Sequence, residues 1–139
     1  MPNTPRRALK QNMIISVNQE AVNDTAKLMM HRLILRKIGR DPSLVERAKS
    51  LHEQTARRYT GRPFVQEWDE LLKLPATELR MRLISRDSDM VRLRLSSPFL
   101  LVAGVDFTDY DFRRRIRRAA RRVVERGLMR ESHLTAQAT

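Results

Sequence analysis

The sequence predicts an all-α fold, a compact bundle of about five to seven helices, and three observations predict it. Apolar residues recur at three- and four-residue steps along most of the chain, the period of a helix face. Helix-start and helix-stop residues punctuate those runs: Asp41-Pro42, Gly61 with Pro63, Pro75, and Ser97-Pro98. The one continuous apolar run of strand length, 99–105, has no partner strand elsewhere. The expected layout is a flexible basic arm at 1–15, a single helical domain at 16–127 and a frayed tail at 128–139. Long helices near 18–39 and 108–126 should pack around shorter central ones.

The arm holds Pro2, Pro5, Arg6, Arg7 and Lys10. It reads either as an ordinary loose terminus or as an arm lying along phosphates. Ser16 to Asn18 offer caps for a helix that Gly39 should end. Val22, Ala26, Met29, Met30, Leu33, Ile34 and Ile38 form its inward face. Asp41 then caps a second helix with Pro42 at its first position, where the missing N–H costs nothing. Leu44, Val45, Ala48, Leu51 and Thr55 face inward from it, Tyr59 closes it, and Gly61 stops it.

Pro63 opens a short apolar helix carrying Phe64, Val65, Trp68, Leu71, Leu72 and Leu74. Trp68, the sole tryptophan, is expected in the core with Phe64 four residues before it. Pro75 starts another helix to about Ser85, with Leu79, Leu83 and Ile84 inward, and Asp87 and Ser88 cap a further one to Leu95. These two have roughly helix-turn-helix dimensions and would put Arg92 and Arg94 on the second helix, where such folds contact DNA. Against that, the turn has no glycine, and the arginines read equally well as solvated charges. Ser97 should cap a buried helix or loop over 99–105.

The segment 107–127 is the most informative. Thr108 as a cap with Asp111 three residues later approaches a capping box, and Gly127 has the place of a helix terminator. Phe112, Ile116, Ala119, Ala120, Val123 and Val124 make a narrow apolar stripe, and the alanine pair admits another helix at close range. The remaining positions carry Arg113, Arg114, Arg115, Arg117, Arg118, Arg121, Arg122 and Arg126, with Glu125 the one acid among them. Four i,i+4 pairs of like charge (113/117, 114/118, 117/121, 118/122) each cost a few tenths of a kcal/mol. A helix that keeps them suggests a compensating anion.

Composition points the same way. The net charge is +12 with a pI of about 11.4, and Arg outnumbers Lys by 23 to 5. Guanidinium pairs with phosphate in bidentate fashion. A hydrophobic content of 41% is that of a folded domain. With no Cys there are no disulfides or thiolate metal sites, and His31, His52 and His133 have no ligand spacing. Ser96 and Ser97 have no histidine near them, and four glycines supply no phosphate-cradling loop. Neighbouring acids such as Glu67, Asp69 and Glu70 splay around their helix by about 100° per residue and do not converge. A non-enzyme without metal or cofactor is therefore expected. No apolar run nears the ~20 residues of a membrane span, and the start has no apolar signal core, so a bacterial-type cytoplasmic location is expected.

The expected function is binding of nucleic acid, either duplex DNA or structured RNA, by a small regulator. The expected contacts are Arg113, Arg114, Arg117, Arg118, Arg121 and Arg122, supported by Arg92, Arg94, Arg6 and Arg7. Few aromatics, and none between the arginines, argue against single-strand stacking. The alternative is a protein-binding module (an antitoxin, anti-activator or adaptor) docking its basic face on an acidic partner. A homodimer through the Ala119-Ala120 stripe would suit either function.

Overall fold

The computed structural model describes residues 18–102 and 109–138, and side chains as far as Glu131. The expected basic arm, including Arg6 and Arg7, and the Thr108 cap lie outside the described residues. Those described form six α-helices and two 3₁₀ turns, with no strand among them. The all-α expectation holds.

Helix α1, Gln19–Arg40, starts where Asn18 Oδ1 accepts the Glu20 N–H at 3.0 Å, filling one of the orphan donors of the first turn. Gly39 does not end it. The helix runs one residue further, and the Asp41 N–H donates to the Lys37 carbonyl at 2.8 Å. The stop comes from Pro42, which disfavours a helical Asp41; Asp41 is extended, with φ −141° and ψ 87°. The Asp41 carboxylate then accepts the Ser43 N–H at 3.1 Å and so caps α2, Ser43–Arg58, as expected. Gly61, with φ +83°, makes the turn out of α2, in a conformation that favours glycine.

Pro63 is the first residue of α3, Pro63–Leu72, and helix α4, Ala76–Leu83, follows Pro75. Helix α5, Ser88–Leu93, has only six residues. Two 3₁₀ turns come next, Arg94–Ser96 and Pro98–Leu101, the second capped by Ser97 Oγ, which accepts the Phe99 N–H at 3.3 Å. Of the apolar run, 103–105 lie outside the described residues, and the described part forms a 3₁₀ turn and not an α-helix. Its Phe99 is fully buried against Trp68, ring centroids 6.3 Å apart.

Trp68 is in the core, fully buried, and its Nε1–H donates to the Leu93 carbonyl at 3.1 Å, satisfying the one polar atom of the ring. Phe64 is half-buried at the edge of the same core, with its ring 6.2 Å from Tyr59. Helix α1 is the hub, touching α2, α4, both 3₁₀ turns and α6.

Helix α6, Tyr110–Ala138, makes its one extensive interface with α1, the largest between any two elements. Ile116 and Ala120 are buried there, and Phe112, Ala119 and Val124 are half-buried. Burying the isoleucine alone contributes roughly 1.5–3 kcal/mol. The alanine pair thus admits a helix at close range as expected, but that helix is α1 of the same chain. Ala120 is wholly covered, while Ala119 is half-buried and Val123 exposed.

Gly127 does not stop α6, which runs 29 residues and continues helical to Ala138. One glycine in a long helix costs only about 1 kcal/mol relative to alanine, which the flanking turns can carry.

Candidate nucleic-acid interface

Helix α6 starts with its first turn held by Asp109, whose Oδ1 accepts the Asp111 N–H at 2.9 Å. The acids at this end also complement the positive end of the helix dipole. From there the side chains divide by the 100° step per residue. Relative to the buried Ile116 and Ala120, Arg114, Arg118 and Arg122 point away from α1. Arg115 and Arg126 lie on one flank, and Arg113, Arg117 and Arg121 on the other. All nine arginines from Arg113 to Arg130 are exposed.

The helix carries nine arginines against three acids, so it holds half of the chain's net charge. None of the ion pairs among the described residues involves an α6 arginine. The contacts these arginines do make are neutral. Arg114 stacks over Tyr110 at 5.6 Å and Arg115 over Phe112 at 6.0 Å. Arg117 Nη2 donates to Gln19 Oε1 at 3.4 Å. Ring stacking occupies a guanidinium face and leaves its N–H edges available.

The α1 side adds to the positive field. Burial holds the Lys27 ammonium below its ordinary value, and Arg113 and Arg117 push it the same way. Three exposed apolar residues sit further along α6: Val123 at 50%, Leu128 at 45% and Met129 at 73%. Val123 was expected inward. Arg117 already lies beside Gln19, the first residue of α1, and six residues further on α6 has advanced about 9 Å past that point.

The other two arginines expected at the site are elsewhere. Arg92 pairs with Glu67, with Nη2 to Oε2 at 2.6 Å and Nη1 to Oε1 at 3.3 Å, and with Asp89 at 3.8 Å. Arg94 is buried, with 1% exposure. Its Nη1 donates to the carbonyls of Leu83 at 3.2 Å and Ser85 at 2.6 Å. It thereby caps the C-terminus of α4, where a cation is favoured by the dipole and orphan carbonyls need donors. Arg94 is therefore removed from the binding set. The helix-turn-helix expectation loses its support with it, because α5 is a turn and a half long, Arg94 lies in the turn beyond it, and the exposed Arg92 is paired with Glu67.

Sequence spacing missed a buried polar pair. Ser97 has a histidine beside it after all: His31 Nε2 lies 2.8 Å from Ser97 Oγ, and His31 Nδ1 lies 2.7 Å from the Lys27 carbonyl. A carbonyl only accepts, so Nδ1 carries the proton and Nε2 accepts from the serine hydroxyl. Burial pushes the imidazole down to about 4, with Arg94 and Lys27 adding to the shift and the Lys27 carbonyl bond opposing it. The pair ties the 3₁₀ turn to α1, and Ser97 is 3% exposed. His52 makes a parallel tie between α2 and α3, with Nε2 2.7 Å from Asp69 Oδ1. The available signal was His31's register, three residues before Ile34 and seven before Ile38, which places it on the apolar face of α1.

No group of three or more potential metal ligands occurs among the described residues, nor is any helix among them long and apolar enough to cross a membrane. The chain matches no family model, no curated protein and no solved structure.

Proposed function

We propose that the protein binds nucleic acid, duplex DNA or structured RNA, through the arginine face of α6, acting as a small non-enzymatic regulator in the cytoplasm. The observation that carries this is the set of nine exposed arginines on one helix, none of which meets a carboxylate among the described residues. The helix is seated by a single interface, so its basic face stands clear of the body. Arg113, Arg114, Arg117, Arg118, Arg121 and Arg122 are the phosphate contacts, and Arg92 and the arm residues Arg6 and Arg7 are secondary. Phosphate contacts carry affinity without base preference.

The test is binding to a random-sequence duplex across a salt series. Neutralising about six phosphates predicts that log K falls with log salt at a slope near −5. A flat salt response, or no binding at low salt, would sink the proposal.

A second function rests on a different observation. Val123, Leu128 and Met129 are exposed on the same helix, and Met side chains adapt to partners. They favour an acidic protein partner, as for an antitoxin, anti-activator or adaptor. Recovery of a stable acidic protein that duplex competes for poorly would select this alternative.

A further inference from the structure

A cleft of about 800 Å³ opens beside the root of α6. That volume falls within the roughly 300–1,000 Å³ of small-ligand sites. Its floor is apolar, formed by Met30, Leu51, Phe64 and Leu100. Three of the chain's exposed large hydrophobics gather at its edge: Tyr59 at 45%, Leu95 at 56% and Leu101 at 73% exposure. Elements distant in sequence supply its charge, namely Lys27 from α1, Arg58 from the end of α2 and Arg113 from α6. Among the described residues lining it there is no carboxylate.

A second cleft of about 570 Å³ makes the contrast. It also has an apolar part, Leu71, Leu74 and Met81, but Glu67, Glu70, Glu78 and Asp89 line it with Arg82 as the one cation. Two clefts of comparable size in one small protein thus carry opposite charge. Only the first combines an apolar floor with converging cations.

We propose that the first cleft binds a small amphipathic anion, an acyl or aryl chain with a single carboxylate or phosphate head. The chain lies on the Met30, Leu51 and Leu100 floor and the head sits among Lys27, Arg58 and Arg113. Lys27 is half-buried beside two arginines, so its charge is poorly solvated and an anionic head relieves that cost. The exposed Leu95 and Leu101 side chains lose water to the same ligand. The cleft shares Arg113 with the proposed phosphate contacts and otherwise lies apart from the outward arginines.

The experiment is fluorescence of anilinonaphthalene sulfonate, itself an aryl anion, on the intact chain, with decanoate, decanol and acetate as competitors. Decanoate displaces the probe, while decanol and acetate are each weaker by about tenfold or more, the value of a charge-assisted contact or of the apolar chain. Lys27→Gln with Arg113→Gln weakens decanoate about tenfold per charge removed and leaves decanol unchanged. Leu101→Asp weakens both, and Met81→Asp in the acidic cleft weakens neither. A thermal midpoint verifies that each variant is folded. If the double variant is not, the exposed Arg58→Gln replaces it with the same expectation. The proposal is overturned if decanol competes as well as decanoate, if the charge variants leave decanoate unchanged, or if Met81→Asp blocks the probe.

Discussion

Arg47, Arg92 and Arg94 of the body share a side chain with the arginines of α6 and little else. Arg47 pairs with Asp41, Arg92 with Glu67, and Arg94 fills the carbonyl end of α4. On α6 the acceptors among the described residues are two aromatic rings and one amide. These three body arginines are structural donors; nine others in the body, Arg58 and Arg82 among them, enter no ion pair among the described residues either. Helix α6 collects unmatched charge, with like neighbours at i,i+4 from Arg113 through Arg130 and Glu125 between them. Abundance of arginine therefore says little about function. What separates Arg47, Arg92 and Arg94 from the α6 set is that the fold itself supplies their acceptors, and what separates α6 from the remaining body arginines is the concentration of its arginines on one helix.

The largest test of that division is charge reversal on the outward face. Arg114→Glu, Arg118→Glu and Arg122→Glu together should weaken duplex binding about a thousandfold, ~4 kcal/mol, and flatten the salt slope by nearly 3. The far-UV helical signal should stay, because all three side chains are exposed. Retained affinity would mean that the α6 charges are no more functional than those of the body.

Arg94→Met is the converse. It strips both donors from the buried Leu83 and Ser85 carbonyls and should cost about 3 kcal/mol in urea-unfolding stability, since each unsatisfied acceptor costs about 1–3 kcal/mol. The salt slope of binding should not change. A loss of affinity in a still-folded Arg94→Met protein would restore the helix-turn-helix expectation that the structure leaves without support.

Acid should expose the same contrast inside the body. His31 sits beside Arg94 and Lys27, so a protonated ring would be a third cation next to them. Its folded value is about 4, below the ordinary 6.5, so between those values the unfolded chain binds the extra proton. The stability it contributes is whole above pH 6.5 and is lost as pH falls to about 4, to a total of about 3 kcal/mol. Urea midpoints at pH 7 and pH 4, for the wild type and for His31→Gln, measure this directly. The variant should show the smaller drop. Equal drops would mean that the loss belongs to the carboxylates alone.

Much of this architecture was readable before any coordinates. The periodic stripes of α1 and α6, the Asp41 cap, the Gly61 turn and the burial of Trp68 all follow from local chemistry, which spacing along the chain reports. Contacts made across the fold were not readable. His31 and Ser97 meet over 66 positions, and Arg94 reaches back 11 positions to Leu83. A single side chain's polarity does not reveal a distant partner, so Arg94 looked like a surface charge and His31 like an unplaced one. The outward arginines of α6 were legible for the opposite reason. A charge that meets no carboxylate within the fold leaves nothing distant to be missed.

The length of α6 was misread for a subtler reason, and it yields the smallest test. Glycine serves either as a left-handed terminator or as a tolerated interior residue, and the sequence of 127 does not distinguish them. Gly61 is the first kind, with φ +83°, and Gly61→Ala should cost about 1 kcal/mol. Gly127 is helical, and a Cβ there meets nothing within 4 Å. Gly127→Ala should therefore add roughly 0.5–1 kcal/mol of helix stability by restricting the unfolded chain. Far-UV signal and thermal midpoint of the two variants should move in opposite directions. If Gly127→Ala destabilises like Gly61→Ala, α6 ends near 126, and Arg130 no longer extends the arginine face.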